Sequence, residues 1–216
     1  ENLKIDGNVS VSPGSFHVEV ANTTYATIEN NKGTGGTQGI VVNTGTNTGL
    51  VCSNNDIRGS SSSGIVITTP DAVITNNVVR NAGSHGIRVS GQGSRVVGNE
   101  IRDISGWGIN LLAAVTGVVI TDNRIANASS GGITGLQADT LVRRNVGHIT
   151  EAFGSATIAD GSADAVVTHN VRGAPAAVAL TARGNEAVWV SGRTSTTFTI
   201  SRSGTAGALI VDWQAQ

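Results

Sequence analysis

Short apolar stretches with alternating inward and outward positions end repeatedly on an asparagine, at positions 8, 31, 55, 77, 99, 123, 145 and 170. The spacings run 23, 24, 22, 22, 24, 22 and 25 residues, and self-similarity at that period marks stacked supersecondary units. The stretches Val73-Ile74-Thr75-Asn76-Asn77-Val78-Val79 and Arg95-Val96-Val97-Gly98-Asn99-Glu100-Ile101 give the register. An apolar residue stands three places before each Asn (Ile5, Ile28, Cys52, Ile74, Val96, Ile120, Val142, Val167). In the middle coils another stands two places after it (Ile57, Val79, Ile101, Ile125). A second marker in each period is a Gly-Ile pair: Gly39-Ile40, Gly64-Ile65, Gly86-Ile87, Gly108-Ile109 and Gly132-Ile133.

Each period therefore holds about three short strands separated by Gly, Ser and Asn turns. Such strands cannot bury an inner face alone, and stacking like coils solves the problem. The prediction is an all-β parallel β-helix of about eight coils, on the order of 35 to 40 Å long at the usual strand spacing. The recurring Asn is expected to tolerate left-handed backbone at a corner and to form an internal amide ladder. Helical repeats are disfavoured, because apolar residues follow period two and Gly totals 29 of 216.

The repeat fades after residue 183. Three alternating stretches follow, 186–191, 196–201 and 208–213, which predict an antiparallel meander. The expected division is 1–183 for the β-helix and 184–216 for a terminal β segment. Too small for a core of its own, this segment would serve as a cap, or as a trimerisation clasp that buries Trp189, Phe198 and Trp213 between chains.

Charged residues are only 13% and the net charge is −1, so nothing in the field favours nucleic acid or an anionic membrane. No stretch of about 18 apolar residues predicts membrane insertion. The chain lacks Met and opens at Glu1, which suggests a processed product or a fragment of something longer. Cys52 occupies an inward position and reads as a small buried hydrophobe. The four histidines, at 17, 85, 148 and 169, lack zinc-motif pairing, and no phosphate loop is present. No metal and no cofactor are expected.

The Asn-ending coils with Gly-Ile markers resemble the right-handed parallel β-helix repeats of the pectin-lyase-like superfamily. The terminal segment, closing in Gly-Ala-Leu-Ile-Val-Asp-Trp, is similar to the C-terminal pieces of bacteriophage tailspikes. The resemblance implies a homotrimer, on a virion tail or otherwise extracellular, that binds and often cleaves a bacterial surface polysaccharide. The Asp-Pro-His signature of alginate epimerases is absent, and the clustered aspartates of calcium-dependent pectate lyases have no counterpart.

Residues one period apart stack, so outward neighbours can be proposed. Arg58, Arg80 and Arg102 lie three places past the Asn, and Asn81, Asp103 and Asn127 four places past it. His85 and Trp107 lie eight places past it, Arg88 and Asn110 eleven. Arg80, Arg102, Asp103, His85 and Trp107 are expected in one patch over two coils, suited to an acidic glycan through ring stacking and charged hydrogen bonds. A second row, Asp122, Arg144 and His169, just precedes the Asn on three successive coils and could supply acid and base. The competing reading for both is a solvated face of paired charges. Three function classes stay open: a tailspike-like adhesin or depolymerase, a single-chain polysaccharide lyase or hydrolase, and a non-catalytic structural β-helix.

Overall fold

The computed structural model describes every residue except 1, 13, 44–48, 113, 138, 149, 170 and 172. The chain divides into two units, Glu1–His148 and Ile149–Gln216.

In the first unit each coil contributes one strand to each of three parallel sheets. The first sheet holds seven strands, from Asn2–Asp6 to Leu141–Arg143. The second holds six, among them Asp56–Arg58, Val78–Arg80, Glu100–Ile104 and Arg124–Ala128. The third also holds six, among them Ile87–Val89, Trp107–Leu111 and Gly131–Thr134. Register is one period per step, so Ile28, Cys52, Ile74, Val96 and Ile120 stack in a single inward row. All five are fully buried, each isoleucine contributing about 2 kcal/mol of hydrophobic stabilisation. Burial pushes the Cys52 thiol up to about 12, which makes it an inert part of that row.

The ladder asparagines 31, 55, 77, 99, 123 and 145 are buried, and each side chain donates Nδ2 to the Oδ1 of the next from Asn8 through Asn145. That Oδ1 also accepts the backbone N–H of the preceding Asn. The expected left-handed corner falls one place earlier than predicted. Gly7, Asn30, Asn54, Asn76, Gly98, Asp122 and Arg144 carry φ between 51 and 69°, while the ladder Asn itself does not. The turn is made by the residue before, which frees the ladder amide to point inward.

The Gly-Ile marker has a steric origin. A β-carbon on Gly39, Gly64, Gly86 or Gly108 would fall inside 3.0 Å of Ile57, Val79, Ile101 or Ile125 and of the next glycine's carbonyl. These glycines keep negative φ, so it is crowding at an inner corner that excludes any larger residue.

The β-helix ends earlier than the predicted boundary at 183. Asn145 is its last ladder member and Val146 bridges back to Arg124, while Asn170 lies outside the described residues. The segment 152–182, expected as further coils, forms antiparallel strands instead. In the second unit Ala152–Ile158, Leu209–Ala215 and Val178–Ala182 make one sheet in the spatial order given. Asp164–Thr168, Thr197–Arg202 and Val188–Arg193 make another. Six strands, rather than a three-stranded meander, close around a separate core of Ile158, Val167, Phe198, Ile200, Leu209 and Val211. Phe198, expected between chains, is 1% exposed and packs edge-on against Trp213 at 5.2 Å. It is spent within its own unit, whereas Trp189 points outward.

Candidate functional site

Alternation decides which side chains each coil presents. In the second sheet Ile57, Val79, Ile101 and Ile125 point inward, so the residues on either side point out. The first outward row is Lys32, Asp56, Val78, Glu100, Arg124; the second is Thr34, Arg58, Arg80, Arg102, Ala126. Asn81, Asp103 and Asn127 stand at the adjoining corner. All three hold left-handed φ of 54 to 59°, which Asn and Asp adopt more readily than other side-chain-bearing residues.

The charges on this face are partly matched. Asp56 takes both ends of the Arg58 guanidinium, at 2.8 and 2.6 Å, and that contact, with the Arg80 and Lys32 charges behind it, holds the carboxyl below its ordinary range. Glu100 meets Arg80 at 3.0 Å and Arg102 at 3.7 Å. Arg124 has no ion-pair partner among the described residues, and Arg80 Nε is buried without a hydrogen-bond acceptor. Lys32, Arg58, Arg80, Arg102 and Arg124 therefore outnumber Asp56, Glu100 and Asp103. A cleft of about 270 Å³ opens here, lined by Glu100, Arg102, Arg124 and Asn127. Asp103 Oδ1 accepts from Asn127 Nδ2 at 2.9 Å.

His85, Arg88, Trp107 and Asn110 form a separate group on the third sheet and the turn leading into it. Arg88 and Asn110 stack directly. His85 Nδ1 accepts the Trp107 backbone N–H at 3.3 Å, and Nε2 meets the Asn110 amide at 2.8 Å. The atom at Nε2 is Asn110 Nδ2; a neutral ring has one acceptor, so Nδ1 can accept the Trp107 N–H only with the proton on Nε2 and the Asn110 amide turned to present its oxygen. Arg80, Arg102 and Asp103 stand on second-sheet strands, so the single predicted patch is divided between two sheets. Both ring nitrogens are committed to structure, and His85 has no free lone pair for proton transfer.

Burial, then the Arg88 charge, depresses His85 below its ordinary 6.5. A depressed folded value means the stability tied to the neutral ring is present above pH 6.5 and is lost as pH falls through the folded value. His85→Gln is expected to flatten the acid limb of stability below 6.5 in urea titrations across pH. An unaltered limb would assign that limb to other groups.

Asp122 and Arg144 are brought together as predicted, Arg144 gripping both carboxylate oxygens at 2.7 and 2.9 Å. The contact holds Asp122 below the ordinary carboxylate range, so it stays ionised and cannot serve as a proton donor near neutrality. His169 does not extend this row. It lies in the second unit, buried, 3.3 Å from the Thr194 carbonyl and stacked on Phe198. Glu100, Arg124 and Asp56 complete the second-sheet face and had not been singled out from the sequence. The alternation around Ile101 and Ile125 was the signal that could have found them.

The sequence matches the family described as right handed beta helix region over residues 16–199. No curated protein matches it significantly. Among solved structures it is similar to the Dettilon tailspike protein gp208 (10% identity, TM-score 0.46), with 98% of this chain aligned to 55% of that one. It is also similar to the Pseudomonas phage phi297 tailspike gp61 (11%, TM-score 0.40; 98% and 60%). The Gp54 tailspike of Acinetobacter baumannii bacteriophage AP22, solved in complex with A. baumannii capsular saccharide, matches at 10% identity and TM-score 0.32 (99% and 61%). The chain thus spans a little over half the length of these proteins.

Proposed function

Because this chain belongs to the right-handed β-helix family, whose stacked coils present outward side chains in repeating rows, we propose that it is a glycan-binding β-helix of the tailspike kind. Its second-sheet face would receive an acidic bacterial surface polysaccharide. One observation carries the reading: five cations against three carboxylates on adjoining rows, with a cleft beside Arg102 and Arg124, in a chain of net charge −1. A polymer with a carboxylate in each repeat would meet a guanidinium or ammonium on successive coils, and Arg offers a planar fork to each carboxylate. Asn81, Asp103 and Asn127 supply hydroxyl partners along the same edge.

The test is calorimetry of the chain against a panel of uronate- or sialate-containing capsular polysaccharides and their neutral counterparts. Arg102→Gln with Arg124→Gln is expected to weaken acidic-polymer binding about tenfold and to reduce its salt dependence. Failure to bind any acidic polymer, or affinity unchanged in the double variant, overturns the assignment of this face.

Cleavage belongs to the same proposal in a narrower form. Asp103 is the carboxylate on the face that is not engaged in an ion pair, and it is our choice of reacting group. Asp103→Asn should abolish release of reducing ends while binding persists. The ion pairing of Asp56, Glu100 and Asp122 favours a second reading, a binding β-helix without catalysis, for which no polymer in the panel would be shortened. The trimeric state and a virion-tail or extracellular location follow from the tailspike reading, and light scattering of the intact chain tests the first.

A further inference from the structure

The second unit carries its own candidate site on the outward face of the sheet formed by Ala152–Ile158, Leu209–Ala215 and Val178–Ala182. Pairing places Phe153, Gln214 and Ala179 in one row across this face and Ser155, Asp212 and Thr181 in the next. A groove of about 590 Å³ opens over these rows. Phe153 is 86% exposed, although the unit has a core that buries Phe198. Gln214 stands next to Phe153 in the row, and the small Ala179 beyond it leaves the far end open.

The adjoining row is polar and already organised. Asp212 accepts from Ser155 Oγ at 2.5 Å and from Arg183 Nη2 and Nε at 2.8 and 2.9 Å. Two of the groove's polar side chains, Thr181 and Gln214, make no side-chain hydrogen bond among the described residues. Trp213, which also lines the groove, keeps its indole N–H buried against Gly154 without an acceptor. Thus a flat apolar ring stands about 7 Å, one two-residue strand step, from a row of fixed acceptors and donors whose one cation and one anion cancel.

We propose that this groove binds an uncharged pyranose sugar, with the apolar face of the sugar on Phe153 and its hydroxyls on Asp212, Thr181 and Gln214. An aromatic face matches the C–H face of a pyranose, and a carboxylate preorganised by Arg183 and Ser155 accepts hydroxyl protons without further ordering. The paired charges give no preference for an anionic ligand, in contrast to the second-sheet face of the β-helix. Phe153 and the part-exposed Ile210, separated by the polar Ser155–Asp212–Thr181 row, are too little apolar area for stable association with a second copy of the chain.

The experiment titrates the full chain with cellotetraose, maltotetraose and chitotetraose by saturation-transfer NMR and calorimetry. At least one should bind, with an affinity that changes little between about 50 and 300 mM salt. Phe153→Ala should weaken it about tenfold, and Gln214→Ala should weaken it without altering the fold. Arg102→Gln with Arg124→Gln should leave it untouched. No binding of any of the three probes, or affinity unchanged by Phe153→Ala, overturns the proposal. A Phe153→Ala chain that drops to a lower oligomeric state also overturns it, because the face would then belong to a second copy. Loss of acidic-polymer binding alone strikes only the second-sheet assignment, so the two readings fail separately.

Discussion

Asn77→Ala is expected to destabilise the β-helix by about 4 kcal/mol, with the loss confined to the coils around it. Asn77 is fully buried, and its amide makes four hydrogen bonds to nitrogen and oxygen atoms besides a 3.9 Å contact from the Cys52 thiol. It donates to the Cys52 carbonyl at 2.9 Å and to Asn99 Oδ1 at 3.0 Å, and its oxygen accepts Asn55 N at 3.0 Å and Asn55 Nδ2 at 2.9 Å. Alanine strands the buried Asn55 backbone N–H without water, at about 1 to 3 kcal/mol, and takes one donor each from the Cys52 carbonyl and Asn99 Oδ1 and the acceptor from Asn55 Nδ2. Asn77→Asp should be at least as damaging, because a carboxylate oxygen would face the Asn99 amide oxygen and a buried charge has no counterion there. Asn8 is the control. It is exposed and its side-chain oxygen accepts no hydrogen bond among the described residues, so Asn8→Ala should cost well under 1 kcal/mol. Hydrogen exchange read by mass spectrometry should show lost protection in peptides spanning 50–101 and not in 150–216. Equal losses for the two alanine variants would mean that the ladder is not what holds the coils.

Much of the first unit was legible because its determinants recur at the same place in every coil. The inward row through Ile28, Cys52 and Ile74, the Asn ladder and the Gly-Ile corners each answer a constraint of stacking, so each leaves a periodic trace. The left-handed corner was misplaced by one residue because Asn occurs at both positions in Asn30-Asn31, Asn54-Asn55 and Asn76-Asn77. Gly98, Asp122 and Arg144 in the same row show which of the two takes the turn. The end of the β-helix was hidden for another reason. Asp164–Thr168 followed by His169-Asn170 looks like one more coil, with Val167 inward. Period-two alternation does not say whether a strand pairs in parallel with the next coil or antiparallel with Thr197–Arg202.

The candidate site was legible to the extent that stacking decides neighbours. Arg58, Arg80 and Arg102 share a row, and His85, Trp107 and Asn110 do touch. Roles were less visible, because they depend on which atoms are already used. His85 was expected to meet a sugar, yet a backbone N–H and an amide lie against its ring nitrogens. Asp122 and Arg144 met as expected and satisfied each other. The second-unit groove left no sequence signal at all. Phe153, Thr181 and Asp212 come from three strands whose pairing is antiparallel and long-range, so no period relates them.

A second large effect is expected at Arg202, where Arg202→Met should cost about 4 kcal/mol of second-unit stability. Its side chain is 0% exposed, and four of its five guanidinium N–H groups have acceptors. Nε donates to the Ser162 carbonyl at 2.8 Å, Nη1 to the Gly207 carbonyl at 2.8 Å, and Nη2 to the Ala159 carbonyl at 3.1 Å. Nη1 also faces Glu186 Oε1 at 3.4 Å. One side chain thereby ties the turn at 159–162 to the loop ending at Gly207 and to Glu186, which itself holds the Gly204 N–H. Methionine fills similar volume and leaves three carbonyls and a carboxylate short of a donor, so the loss isolates the polar contacts from packing. Lysine keeps the charge but cannot reach three carbonyls from one ammonium, so Arg202→Lys should recover only part of the deficit. Glu186→Gln in the Met background should restore about 1 kcal/mol by removing the uncompensated carboxylate. Trp213, edge-on to Phe198 in this core, offers a fluorescence readout of the transition in guanidinium. If Arg202→Met and Arg202→Lys prove equally mild, the loops of this unit are held by the core alone and the buried guanidinium is incidental.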